Sequence, residues 1–136
     1  MKNKNILFFL LLSLFLLCCK EETYYNEIAN LVKSEFGDNL KDYDMIFIIP
    51  GSGCTGCINS AEDFFLENVK NKKTKFIFTY NFSKKNLILK LKKQNLEQEN
   101  VLVDDRNIFY LEKYEEKIYP IAIELENGKI SKIYNF

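Results

Sequence analysis

The chain has 136 residues with 19 basic and 19 acidic side chains, no histidine and no tryptophan. Zero net charge gives no electrostatic footprint for nucleic acid, and a closed zinc site needs four protein ligands, whereas beyond the adjacent Cys18 and Cys19 near the start the chain has two cysteines and no histidine. An apolar content of 47% suffices for a core, and no Pro/Gly/Ser-rich linker or internal repeat breaks the chain, so one domain is expected. Lysines cluster from Lys70 to Lys75 and from Lys84 to Lys93, but they interrupt apolar positions at helical spacing, the pattern of a solvated helix face.

In chain order, Lys2 and Lys4 precede the twelve residues Ile6 to Leu17, of which only Ser13 is polar. A helix needs about 20 apolar residues to cross a bilayer, so this run is too short to span and suits the apolar segment of an export signal. Ending in Cys18 and Cys19, it resembles the signal of bacterial lipoproteins, in which a cysteine is diacylated and becomes the first residue of the mature chain. That resemblance implies a signal peptide over residues 1–18 and a lipid on Cys19, since Cys18 is smaller than Leu17 and suits the position ahead of the cut. Cys18 is the alternative lipid site, and an ordinary secretory signal or a short uncleaved anchor stays open. Lys20-Glu21-Glu22 is similar to the charged tag that sends some lipoproteins to the cell surface. The expected location is a bacterial membrane, held by lipid at the periplasmic or surface face of the outer membrane. Removing 18 residues leaves 118, slightly acidic once Lys2 and Lys4 are gone.

Residues 19–24 are expected to be anchor and tether, and 25–136 the folded domain. Glu27 to Phe36 reads as an amphipathic helix with Ile28, Leu31, Val32 and Phe36 on one side, and Gly37 as its stop. Met45 to Ile49 is an uncharged apolar run of strand length, predicted to be buried on both faces. A helix from Cys54 to Val69 follows, with Ile58, Ala61, Phe64, Phe65 and Val69 inward and Asn59, Glu62, Asp63 and Glu67 toward water. Lys75 to Tyr80 is a second strand. Ser83 caps a helix with Leu87, Ile88 and Leu91 inward, and Asn100 to Val103 is a third strand. Asp104 to Asn107 is a turn, Ile108 to Tyr114 a short helix, and the end a hairpin of Ile121 to Leu125 and Lys129 to Tyr134 about Asn127-Gly128. The alternation predicts an α/β fold: a central mixed sheet flanked by helices and closed by a β-hairpin.

The chemistry concentrates in Cys54-Thr55-Gly56-Cys57, at the junction of the first strand and the second helix. Cysteines three positions apart meet on one face where a helix begins, close enough to form or release a small-ring disulfide. A thiol there faces unpaired backbone N–H groups and the positive end of the helix dipole, which favour thiolate. Cys54 is the expected nucleophile, and Cys57, one turn further in and more shielded, the resolving cysteine. Gly51, Ser52, Gly53 and Gly56 are expected to let a partner's backbone approach the sulfur.

This order of elements, with Cys54-Thr55-Gly56-Cys57, the Tyr119-Pro120 step and Asn127-Gly128 beyond it, resembles the thioredoxin fold over residues 24–136. The extra strand and helix between Asn100 and Tyr114 are similar to those of membrane-anchored, extracytoplasmic thioredoxin-like reductases. The resemblance implies a thiol-disulfide oxidoreductase, acting as a reductant on protein thiols and disulfides, needing an electron donor but no cofactor or metal. It implies a cis Pro120 facing the cysteines, with Tyr119, Gly53 and Thr55 as further substrate contacts, and a monomer. The chain departs from the family in holding Gly53 where a tryptophan precedes the first cysteine. Ile48 stands where a buried aspartate serves as proton acceptor, so slower reduction is expected. With no histidine between the cysteines, a strongly oxidising role is disfavoured, and with no Lys or Arg between Asp44 and Ile58 only the helix terminus lowers the Cys54 pKa. Two other functions fit the same residues. One is a non-enzymatic lipoprotein with a structural disulfide. The other is a thiol peroxidase, because Pro50 to Cys57 matches a peroxiredoxin frame with Cys54 in the threonine place and Arg106 the sole arginine.

Overall fold

The computed structural model describes residues 19–136, and of Cys19–Glu22 and Glu115–Lys117 the backbone alone. The expected signal segment and Cys18 lie outside the described residues. The fold is α/β, with one five-stranded mixed sheet in the order β3-β2-β1-β4-β5 and helices on both faces. The strands are β1 Met45–Pro50, β2 Thr74–Thr79, β3 Val101–Val103, β4 Ile121–Glu126 and β5 Lys129–Asn135. The first three run parallel, and the closing hairpin is antiparallel, with Met45 opposite Glu124 and Ile48 opposite Ile121. Asn127 at φ 52° and Gly128 at φ 75° form its two-residue turn, the left-handed pair that matches the twist of the strands.

Because side chains alternate along a strand, β1 divides between two cores. Phe47 and Ile49 join Phe76, Phe78 and Ala122 under α2 (Thr55–Asn68) and α3 (Lys84–Leu91), which contribute Ala61, Phe65, Leu87 and Leu91. Ile46 and Ile48 join Ile77, Ile121 and Ile123 on the other face, covered by α1 (Cys19–Phe36) and by the segment that leads from β3 to β4.

Most expected elements are present within a residue or two. The first helix is the main extension: it begins at Cys19 rather than Glu27, so the stretch expected as a tether is helical, and Tyr24 within it is buried in the core. It ends at Phe36, and Gly37 takes φ 49° to open a 3₁₀ turn, Gly37–Asp42. Ser83 caps α3 as expected, its hydroxyl accepting the Asn86 N–H at 3.4 Å. The helix stops at Lys92, φ 68°, and a short α4, Lys93–Leu96, follows that the sequence reading did not include.

Three expectations are corrected. Ile108 to Tyr114 is not a helix. Asp104 is buried, and its carboxylate accepts the Phe109 N–H at 3.0 Å and the Thr79 hydroxyl at 2.8 Å, which holds the backbone in a turn. Asn107 sits at φ 54° and its side-chain oxygen accepts the Tyr80 N–H, so helix appears only as a 3₁₀ stretch at Glu112–Lys117. Ile88, expected inward, lies on the solvent side of α3, whose eight residues bury only Leu87 and Leu91. Glu62, expected in water, is buried, because α2 packs close enough to α3 for Lys90 to pair with it.

Candidate functional site

The strand-to-helix junction places the cysteines at the carboxyl end of β1, where ligands gather in open α/β sheets. They are joined as a disulfide with Cα atoms 5.3 Å apart. Cys54 is the N-cap of α2: its extended backbone ends the loop, and its Sγ accepts the Cys57 N–H at 3.4 Å. The sulfur thus occupies the place where a Ser or Asp oxygen usually satisfies a free N–H of the first turn. No acidic side chain lies in that turn to oppose a negative sulfur. Cys54 and Cys57 are both half-buried, whereas the sequence reading expected Cys57 to be the more shielded.

The glycines around the pair serve a purpose different from the one expected. A Cβ on Gly51 would stand 2.6 Å from the Phe82 backbone, and one on Gly53, at φ 131°, would stand 2.5 Å from the Ile118 carbonyl oxygen. These positions are glycine because neighbouring loops of this chain press on them, not to leave room for a partner. Gly56 alone faces open space and fits the access reading. Asn81 strengthens the first clasp, donating to the Ser52 hydroxyl at 3.5 Å, and the Gly51 N–H donates to the carbonyls of Thr79 and Tyr80.

The second clasp brings the loop before β4 against the cysteine loop. Tyr119 is 39% exposed and Pro120 is buried, and the peptide bond between them is trans rather than the expected cis. Thr55 is exposed at the first position of α2.

On the other side of the cysteine loop, an open cleft of about 560 Å³ lies between α2 and α3, lined by Gly53, Thr55, Asn59, Glu62, Asn81 and Lys90 among others. Lys90 pairs with Glu62 and donates to the Asn59 side-chain oxygen at 3.1 Å. Sequence spacing placed no cation near the cysteines. The missing signal is tertiary, since 31 residues separate Asn59 from Lys90. The position expected to lack a carboxylate, Ile48, is core, and Glu62 is the buried acid of the cysteine helix. Arg106 is paired with Glu35 of α1 at 3.2 Å and does not line the cleft.

Against the opposite edge of the cysteine loop five of the eight tyrosines, Tyr24, Tyr80, Tyr110, Tyr114 and Tyr119, surround the ends of β1 and β2. Tyr80 stacks on Tyr110 with ring centres 3.8 Å apart, and burial pushes the Tyr24 phenol up to about 12. Tyr80 and Asn81 both have positive φ, 56° and 48°. A bulky aromatic in that region is strained, and such residues cluster at sites that fix loop geometry.

Among the described residues no cluster of three or more His, Cys, Asp or Glu side chains is placed to hold a metal, and no helix is long and apolar enough to cross a membrane. No family model, curated protein or solved structure matches this chain.

Proposed function

We propose that this chain is a lipid-anchored, extracytoplasmic thiol-disulfide oxidoreductase of thioredoxin-like fold. One observation carries the reading: Cys54 caps α2 with its sulfur, accepting the backbone N–H of Cys57, its own disulfide partner. A helix-capping sulfur is stabilised as thiolate, the form that attacks disulfides, and the second sulfur is already within bonding reach to resolve the product. The sheet order supports the fold reading, with parallel β1 and β2, an antiparallel β4-β5 hairpin and the cysteines at the β1 to α2 junction.

In the reducing direction, the Cys54 thiolate attacks a protein disulfide. The partner's S–S bond breaks and one partner thiolate leaves. The Cys57 thiolate then attacks Cys54 Sγ, the mixed disulfide breaks, and the second partner thiolate leaves as the Cys54–Cys57 bond forms. Two electrons pass to the partner, whose thiolates take two protons from solvent. A dithiol donor returns the pair to its reduced state by the reverse exchange. Tyr119 and Thr55, both exposed, border the path by which the partner chain approaches, and Cys19, or Cys18, carries the lipid.

The test is the equilibrium of the full chain against thiol buffers, with Cys54 and Cys57 quantified by alkylation. A couple between about −120 and −270 mV is expected, together with a trapped mixed disulfide when Cys57→Ala meets a protein disulfide. A couple below about −300 mV, with Cys54 inert, establishes the structural-bridge reading, which the closed disulfide in the structure equally fits. The peroxidase reading is not favoured, because Arg106 is engaged by Glu35.

A further inference from the structure

The helix that carries the expected lipid runs antiparallel to β1 and β2. At its far end Phe36 meets Tyr43, just before β1, and the ammonium of Lys75, near the start of β2. At its near end Tyr24 lines a small cavity together with Pro50, Thr79 and Tyr119, at the finish of those strands and the entry to β4. Cys19 lies five residues ahead of Tyr24 in the same helix, a rise of about 7.5 Å at ~1.5 Å per residue. The lipid site and the disulfide therefore occupy the same pole of the molecule, with no slack between the anchor and the fold.

That pole combines uncharged loops and tyrosines with one charged segment. No charged residue occurs from Met45 to Ala61, from Phe76 to Ser83 or from Ile118 to Ile123, three of the stretches that build its loops, whereas the fourth, from Asp104 to Lys117, carries Asp104, Asp105, Arg106, Glu112 and Lys113. Five tyrosines collect there, and tyrosine is the side chain that settles at a headgroup boundary. The opposite pole, where the Asn127-Gly128 turn lies against Lys41, is charged, with Asp38, Lys41, Asp42 and Asp44 in one short run.

We infer that the Cys54–Cys57 pair faces the membrane to which the chain is anchored, and that its partner is the disulfide of a membrane-resident protein standing at headgroup level. The inference rests on the lipid-anchored exchange reading above. A partner on the membrane meets the pair directly, whereas a protein diffusing in solution has to enter the gap between domain and bilayer from the side. The exchange is the one written above, with the membrane protein's disulfide as electron acceptor and a dithiol as donor.

The test uses the acylated full chain in vesicles of phosphatidylethanolamine and phosphatidylglycerol, a small fraction of whose headgroups carry a pyridyl disulfide. Capture of this lipid is divided by capture of a water-soluble pyridyl disulfide. Single thiols are placed at the two poles by Ser52→Cys, Asn127→Cys and Lys41→Cys, each in a Cys54→Ala, Cys57→Ala background. The expected ratio is at least tenfold higher for Ser52→Cys than for either distal variant. Equal ratios, a higher ratio at the distal pole, or a chain that does not bind the vesicles overturns the inference. Cys54 itself is read in the Cys57→Ala chain, where preferred capture of the lipid disulfide is expected. If Cys54 stays inert to the soluble reagent while the Ser52→Cys thiol captures lipid, the exchange reading fails and with it the assigned partner, although the orientation stands.

Discussion

The two faces of the sheet are held by different physics. Under α2 and α3 the contact is hydrocarbon: Phe65 stands edge-on to Phe76 and Phe78 with ring centres 5.0 Å apart in both pairs, and Phe47 packs on Phe64 at the same distance. Under α1 the apolar seam of Ile28 and Val32 is supplemented by polar ties to the β3-to-β4 segment. Lys113 pairs with Glu27 at 2.6 Å, the Tyr114 hydroxyl donates to the same carboxylate, Arg106 reaches Glu35, and Asp104 holds the turn. The face that carries the cysteines is thus held mainly by hydrocarbon, with the Lys90–Glu62 pair as an ionic tie between its helices, while the face that carries α1 is fastened by several groups that titrate.

Truncating the aromatic centre of the first face gives the largest effect. Phe65→Ala is expected to lower the stability of the whole domain by about 3–5 kcal/mol, measured by urea unfolding, because the cavity lies between helix and sheet and rigid neighbours cannot close it. On the second face Asp104→Ala removes the acceptor for one buried hydroxyl and one buried N–H, with an expected cost of about 1–3 kcal/mol. Hydrogen exchange localises that effect: the Phe109 amide speeds up and the α2 amides do not.

Two smaller effects appear only when pH is varied. The buried Tyr24 phenol keeps its proton to about 12, while the unfolded chain releases it near the ordinary value of 10. Its contribution is therefore complete below pH 10 and lost as pH rises toward 12. Tyr24→Phe is expected to flatten the alkaline limb of a stability-against-pH curve. The hydrogen bond from Lys113 holds the Glu27 carboxyl below its ordinary range, so its contribution is present above that range and lost as pH falls through the lowered value. Glu27→Gln is expected to remove this acid dependence from the protection of α1 amides and to leave α2 unchanged. It is the smallest effect, since both partners are open to solvent. An equal acid response of α1 and α2 in the unaltered protein refutes the contrast between the faces.

The parts legible in the sequence were those encoded by neighbours along the chain. The apolar run Met45 to Ile49, the Ser83 cap, the Asn127-Gly128 turn and the spacing of Cys54 and Cys57 each state their conformation within a few residues. The failures came where a distant group decides. Glu62 looked solvated until Lys90 arrived from another helix, and Ile108 to Tyr114 looked helical until the Asp104 carboxylate captured the Phe109 N–H. Gly51 and Gly53 were legible as special but not in their purpose, because Phe82 and Ile118 lie far along the chain. Tyr24 continues the four-residue stripe of Ile28 and Val32 and so was legible too, but the charged Lys20-Glu21-Glu22 run ahead of it masked the start of α1.

Asn100 lies at the pole opposite the cysteines, and its side-chain nitrogen donates to the carbonyls of Val69, Asn71 and Thr74 at 2.9 to 3.1 Å. It closes the exit of α2, the entry of β2 and the entry of β3 with one amide. Aspartate has the same shape but would turn an acceptor toward three acceptors, and glutamine is one methylene too long for the buried space. Over evolutionary descent this leaves the position few neutral replacements. A distant relative that has lost both cysteines is expected to betray its ancestry through this single amide.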